Sequence, residues 1–292
     1  MPQPTILVTG AQGQLGFELA RLLAPMGRVL ALDRAALDLS DADAIVGTVR
    51  RAKPALIVNA GAYTAVDRAE AEPELARAVN ARAPRVLAEE AKRLAAMLIH
   101  FSTDYVFDGL RTSPYPEDAP TAPQNVYGAS KLEGEREIAA VGAHALVLRT
   151  SWVYGLRGRN FLLTIRRLAA ERDALTVVAD QIGVPNWSRT LAAATARIVG
   201  AGLPALAERA GLYHLSCRGH ASWYEFARAI LGDAARPRLL PIATSDYPTP
   251  ARRPAYGVLA TARFEHAFGF ALPAWREDLA ACLASPAEPL SS

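Results

Sequence analysis

The run Thr5-Ile6-Leu7-Val8 is short, apolar and β-rich. It passes directly into Gly10-Ala11-Gln12-Gly13-Gln14-Leu15-Gly16, and then into apolar residues at helical spacing, Leu15, Leu19, Leu22 and Leu23. A strand, a glycine loop and a helix in that order leave few folds open. Glycines permit a tight turn and close backbone approach, and the helix N-terminus offers free N–H groups and a positive dipole end to a pyrophosphate. Glycines alone also fit a purely structural turn; their position between a first strand and a helix is what points to a dinucleotide. The candidate cofactor residues of this loop are Gly10, Gln12, Gly13, Gln14, Leu15 and Gly16.

The same alternation continues along the chain. A second strand, 29–32, ends at Asp33-Arg34, where a dinucleotide fold reads the adenosine ribose. Asp33 suits the ribose hydroxyls of NAD and Arg34 the additional phosphate of NADP. The pair reads as NADPH first with NADH also usable, or as ordinary surface charge. Asp38-Leu39-Ser40-Asp41 closes the loop and caps a helix running to Ala52, and Pro54 breaks the chain before a strand at 56–59. Ala60-Gly61-Ala62 follows, small enough for a flat cofactor to lie on the backbone and equally suited to tight strand–helix packing. Asn80 is expected to begin an Ala-rich helix to Ala95. A strand at 97–102 runs into Thr103 and Asp104, at the carboxyl end where open α/β sheets bind ligands. Residues 112–125 are expected as a rim over that site. A helix carrying Tyr127 and Lys131 comes next, then a strand at 144–149 ending at Thr150-Ser151-Trp152.

Apolar runs in place of strict alternation imply a parallel sheet covered on both faces. The expected fold is therefore α/β, a Rossmann-type doubly wound parallel sheet with a smaller C-terminal substrate lobe. Residues 1–155, with parts of 170–200, are assigned to the NAD(P)-binding domain. About 156–284 go largely to an interleaved substrate lobe, and 285–292 to a disordered tail. Within the lobe, 237–254 reads as Pro-rich loop. His100 and His214, inside strands, read as satisfied core groups, and Trp223, Tyr224 and Phe226 as core packing.

Tyr127-Gly128-Ala129-Ser130-Lys131 puts a phenol and an amine four residues apart on one helix face, where both can act on one bound molecule. A free phenol ionises at about pH 10, and a nearby ammonium lowers that value by favouring the phenolate. Such a pair is a proton donor and its tuner; the alternative is two surface residues at that spacing by chance. Lys131 is one of three lysines, with Lys53 and Lys92, against twenty-nine arginines. It departs from a strong preference for Arg, and Arg cannot replace a compact ammonium.

Half the residues are hydrophobic and the formal charge is +3, with basic residues scattered among acids. This is the composition of a soluble globular protein with no nucleic-acid footprint. Cys217 and Cys282 lack metal-site spacing and suit free thiols in a reducing compartment. No leader-like segment and no apolar run of membrane-spanning length is read, so a cytoplasmic enzyme without a membrane partner is expected.

With the glycine loop, 59–62, 102–104 and Tyr127/Lys131 in place, the chain resembles the extended short-chain dehydrogenase/reductases. Within them it is similar to the branch that acts on dTDP-linked 4-keto-6-deoxy sugars. The segments 63–70, 102–107, 125–128, 148–155 and 247–254 carry the resemblance. It implies hydride transfer from NADPH, or NADH, to C4 of dTDP-4-dehydro-6-deoxy-L-mannose, giving dTDP-L-rhamnose. By the same resemblance Tyr127 protonates the new alkoxide, Lys131 tunes it and holds the nicotinamide ribose, and Thr103 hydrogen-bonds the carbonyl oxygen. These donors match the negative charge that hydride addition develops on oxygen. Asp104 would position the sugar or a neighbouring backbone, Thr64 would join the substrate contacts, and Trp152 would lie beside the sugar or serve as a core Trp. Gly61, Asn186 and Gly257 depart from an Ala, a Thr and a Ser usual among such relatives.

Relatives are also described with magnesium. No clustered carboxylates are found here, and Arg189 stands in a region where an acid would help bridge subunits. No metal ligand is assigned, Mg2+ is left open, and a monomer or homodimer is expected. Two rival functions share the fold. A nucleotide-sugar dehydratase needs an acid pair after the Thr, and here Tyr105 follows Asp104; an epimerase or another ketoreductase remains open. A non-catalytic NADP-binding regulatory subunit is disfavoured because Thr103, Tyr127 and Lys131 are kept together, although fold alone does not decide function.

Overall fold

Five strands alternate with helices in the first half of the chain: β1 Thr5–Thr9, β2 Arg28–Leu32, β3 Leu56–Asn59, β4 Met97–Thr103 and β5 Ala145–Thr150. A sixth, Gly211–His214, joins them in one parallel sheet, in the order Gly211–His214, β5, β4, β3, β1, β2. The computed structural model describes residues 3–232 and 236–286.

Successive side chains of a strand point to opposite faces, and here both faces are covered. Ile6, Val8, Val58 and Ile99 pack with residues of α1, Gln14–Leu23, and of the helix Ser188–Gly200. Leu7, Ile57, Leu98 and Val147 pack with residues of α2, Ala42–Ala52, of Ala83–Leu94 and of the helix Val126–Val141 that carries Tyr127. That double burial is why the strands read as apolar runs.

The strand order reverses between β1 and β3, which places a ligand crevice beyond their carboxyl ends. Gly10 and Gly61 meet there. Gly10 has a φ of +67°, and a Cβ built on it would lie 2.7 Å from Gly61 Cα, so glycine alone fits.

Three elements differ from the sequence reading. The helix expected to begin at Asn80 begins at Pro73, which serves at N1. It runs through Pro73–Arg77, a π turn at Ala78–Arg82, and Ala83–Leu94. Asn80 sits in the π turn because its side chain is tied sideways: Oδ1 accepts from Tyr63 N, and Nδ2 donates to Tyr63 O and Ser130 Oγ. The segment read as Pro-rich loop contains a strand, Arg238–Ile242, paired with Ala174–Val178; an edge position tolerates its Pro241. Finally, Gly211–His214, placed by sequence in the lobe, completes the nucleotide sheet. Residues 287–292 of the expected tail lie outside the described residues. Among the described residues no helix is long and apolar enough to cross a membrane.

The Tyr127 helix is fixed at its start and again in its middle. At its start Asn125 Nδ2 donates to Arg252 O at 2.7 Å, Val126 N donates to Glu70 Oε1 at 2.9 Å, and Arg253 pairs with Asp67 at 2.8 Å. Further along, Glu135 forms a buried ion pair with Arg149 of β5 at 2.7 Å. Removing two charges from water is offset only if the remaining donors and acceptors are used. Glu135 also accepts from Ser102 Oγ, and the Arg149 guanidinium donates to Glu117 O and lies 5.0 Å from the Phe107 ring centroid. Arg149→Met leaves Glu135 buried alone and is expected to cost roughly 3–5 kcal/mol in urea unfolding. Adding Glu135→Leu should recover most of that loss; an undiminished loss in the double variant would show that shape, not charge, holds the helix.

Candidate active site

A cleft of about 760 Å³ opens at the carboxyl ends of the strands. One end is built on the glycine loop, where Gly10, Gln12, Gly13, Gln14 and Leu15 line the wall. Gly13 is the N-cap of α1 and no side chain caps it, leaving first-turn N–H groups available to an anion. With the Gly10–Gly61 contact, which any side chain would fill, these residues fit a dinucleotide pyrophosphate. Gly16, the last glycine of the loop, is buried beneath it, and a Cβ there would meet Gly10 O at 2.1 Å, so its bare backbone lets the helix close on the turn.

The ribose end is lined by Asp33, Arg34, Asp38 and Leu39, with Ala60, Gly61 and Ala62 opposite. The Asp33 carboxylate is engaged on both oxygens, accepting from Gln12 Nε2 at 2.6 Å and Ala36 N at 2.8 Å. Hydrogen bonds from Ser40 hold the Asp38 carboxyl below its usual range. Arg34 is 79% exposed and only 4.0 Å from Asp38, a cation loosely held on the wall.

Thr103, Asp104, Tyr127, Lys131, Trp152 and Thr64 line the other end of the same cleft. Thr103, at the end of β4, donates from Oγ1 to Asp104 Oδ1 at 3.0 Å and accepts from Tyr105 N at 3.2 Å. Asp104 is 2% exposed and its Oδ2 has no partner; burial pushes its carboxyl up to about 7. Gly257 leaves room for that oxygen, since a Cβ there would sit 2.4 Å from it. Tyr127 stands in the first turn of a helix capped by Asn125, whose Oδ1 accepts from Gly128 N at 2.7 Å. Burial pushes its phenol up to about 12, opposed by a hydrogen bond with Thr103.

Lys131 is brought down to about 8 by burial, opposed by the negative charge of Glu135. Its Nζ donates to Phe101 O at 2.6 Å and lies 3.2 Å from His100 Nε2. Sharing a helix face does not fix where a four-carbon side chain points, and this one points at the strand beneath.

Trp152 has a φ of +42° and stacks on Trp223 at 3.5 Å with rings 7° apart. Both are half-buried and line the cleft, so Trp223 adds a cleft face to the core packing expected of it; its Nε1 donates to Gln181 Oε1 at 3.2 Å. Its helical spacing to Phe226 resembled core packing, and only the Ser222–Glu225 capping box marked it as first-turn. Tyr63, first of the segment 63–70 that carries the resemblance, also lines the cleft, as does Arg159, for which the sequence offered no signal. The loop 112–125 contributes no lining residue. Tyr115 is stacked on Phe107 at 4.3 Å and bonded to Val258 and Ala260, which pulls the loop aside. Among the described residues no group of three or more His, Cys, Asp or Glu is placed to hold a metal, and Arg189 pairs with Glu18 at 3.0 Å.

A crevice shaped for a dinucleotide, ending at Thr103, Tyr127 and Lys131, defines an extended short-chain dehydrogenase/reductase, an NAD(P)H-dependent oxidoreductase. The chain matches the RmlD substrate binding domain over residues 4–287 and belongs to that family. It is 47% identical to the dTDP-4-dehydrorhamnose reductase of Burkholderia thailandensis, over 95% of this chain and 97% of that one. The Escherichia coli K12 dTDP-4-dehydrorhamnose reductase is 43% identical, over 93% and 94%. A crystal structure of the Bacillus anthracis dTDP-4-dehydrorhamnose reductase in complex with NADP superposes with a TM-score of 0.90 at 35% identity, covering 97% of this chain and 99% of that one.

Asp104 makes stability depend on pH. The folded carboxyl keeps its proton to about pH 7, whereas the unfolded one releases it near its ordinary value of 3.8. Between those values the folded state binds more protons, so stability falls as pH rises. Asp104→Asn is expected to melt above the parent at pH 8 and to lose that advantage at about pH 4. Thermal melts across this range check it, and a gap that did not vary with pH would remove Asp104 as the source.

Proposed function

We propose that the protein reduces the 4-keto group of dTDP-4-dehydro-6-deoxy-L-mannose with NADPH, yielding dTDP-L-rhamnose. The observation that carries this reading is the meeting of Thr103, Tyr127 and Lys131 in one cleft with the glycine loop. Relatives named for this activity cover nearly the whole chain, which supports the substrate. When bound, the nicotinamide supplies the hydride.

The chain's own residues handle the oxygen. Thr103 Oγ1, once its one proton turns away from Asp104 Oδ1, and the Tyr127 hydroxyl are the donors for the ketone oxygen, where negative charge develops as the hydride reaches C4. Burial keeps the phenol protonated before the reaction, so the acid is in the right state; its proton then moves to O4. The ammonium of Lys131 favours the phenolate left behind. The Trp152–Trp223 stack offers a flat apolar surface, and Thr64 and Asp104 offer polar groups to the nucleotide sugar. Of the residues beyond 156 that reach the cleft, Gly158, Arg159 and Trp223, we assign Trp223 to the sugar side.

Arg34 favours NADPH over NADH, because Asp33 is engaged by Gln12 and Ala36 while the guanidinium stays open to a phosphate. A relative binds NADP, in keeping with this choice. The reading requires no metal, nucleic acid or membrane, and fits a cytoplasmic monomer or homodimer.

The test is loss of NADPH absorbance on addition of the dTDP-keto-sugar. Stoichiometric oxidation with dTDP-L-rhamnose as product is expected, and none despite NADPH binding would overturn the substrate. Tyr127→Phe should lower kcat by roughly a hundredfold or more while leaving NADPH affinity nearly intact. Arg34→Ala should raise KM for NADPH about tenfold, the loss of one charge-assisted contact, with little change for NADH.

A further inference from the structure

His100 sits in a row of polar side chains that crosses the sheet. Thr9, Asn59 and His100 are register partners on β1, β3 and β4, one rung beyond the apolar Leu7, Ile57 and Leu98 on the same face. All three are buried. Thr9 Oγ1 lies 2.6 Å from Asn59 Oδ1, Asn59 Nδ2 lies 2.9 Å from His100 Nδ1, and His100 Nε2 lies 3.2 Å from Lys131 Nζ. Gly61 N donates to Thr9 Oγ1 at 3.1 Å. The row thus links the backbone of the cofactor turn to the catalytic lysine.

Donors and acceptors along this row allow two complete pairings. If Asn59 Nδ2 donates to Nδ1, a neutral His100 carries its proton on Nε2 and offers Lys131 an N–H, which only an uncharged amine can accept. If Lys131 is an ammonium, Nε2 must accept and Nδ1 must carry the proton. Asn59 then turns its Oδ1 to the ring and its Nδ2 to Thr9 Oγ1. A mixture leaves two buried donors facing each other. Burial, followed by the charge of Lys131, keeps His100 neutral, so its ring serves as donor or acceptor but not as a cation.

We propose that His100, held by Asn59 and Thr9, is a positioning residue that ties the charge of Lys131 to the hydrogen-bond direction of this row, and through Thr9 to the Gly61 turn. Its catalytic meaning rests on the reductase reading. The other ionisable groups around Lys131 are Tyr127 and Glu135 on its own helix and Asp104 at the end of β4. Glu135 is in turn held by Arg149 of β5 and Ser102 of β4. From β1 and β3 come the uncharged Thr9 and Asn59. Reversal of the row lets Lys131 lose or regain a proton with its buried partners still paired.

With three lysines in the chain, the 13Cε signal of Lys131 can be followed directly in lysine-labelled protein and assigned with Lys53→Arg and Lys92→Arg. His100→Leu removes an acceptor from the ammonium, so the midpoint of the Lys131 titration should fall by on the order of one pH unit. His100→Gln, which keeps an acceptor at similar reach, should restore it. Thr9→Val keeps the shape and orphans an Asn59 N–H in the ammonium pairing but only a carbonyl in the other, the lesser penalty, so it should give a smaller fall. Unchanged midpoints in folded His100→Leu and Thr9→Val would overturn the proposal, as would a fall that His100→Gln does not reverse. Should His100→Leu not fold, Thr9→Val decides alone. No sugar is present in this titration, so its outcome is separate from the substrate assignment.

Discussion

The chemistry of this molecule hangs on a carboxylate and a guanidinium buried together, Glu135 and Arg149. Glu135 lies four residues beyond Lys131 and eight beyond Tyr127, so fixing it against β5 sets the rotation of the whole helix. Lys131 is then delivered onto the strand below, where Phe101 O and His100 receive it. Tyr127, one turn earlier, is left in the wall of the cleft beside Thr103. The same carboxylate supplies the negative charge that opposes the effect of burial on Lys131. A single ion pair therefore acts mechanically on one side chain and electrostatically on the next.

At the start of that helix the constraint is of a different kind. Segments far apart in sequence, around Asp67, Asn125 and Arg253, close on one another through partly buried bonds. The Pro-rich stretch 247–254 has little apolar area of its own and is ordered by those contacts. These bonds join 247–254 to the segment after β3 at the point where the Tyr127 helix begins.

Much of the sheet was legible because parallel strands buried on both faces must be continuous apolar runs, which β1, β3, β4 and β5 are. The glycine loop was legible for the same reason, a backbone demand that few residues meet. What escaped reading was set by contacts between distant residues. The π turn at Asn80 exists for Tyr63 and Ser130, and the strand Arg238–Ile242 exists because Ala174–Val178 offers an edge. Trp223 could not be told from a core aromatic, since a helix face packed on a core and one lining a cleft share the same period. Lys131 was found by its rarity, but its direction was decided by a carbonyl and a ring on another element. Gly16 lay in the right motif and gives the loop room to pack.

Trp152 is gripped on both sides, by the Trp223 ring and by the backbone at Gly183, where a Cβ would lie 2.4 Å from the indole. Its φ of +42° is one that a bulky residue rarely holds, and it persists because the two walls leave the ring nowhere else to go. A side chain cannot arise at position 183 while the indole is there, and a smaller residue at 152 would release both the backbone strain and the reason for a glycine. The two positions are therefore one unit of the cleft wall: what either can accept depends on what stands at the other.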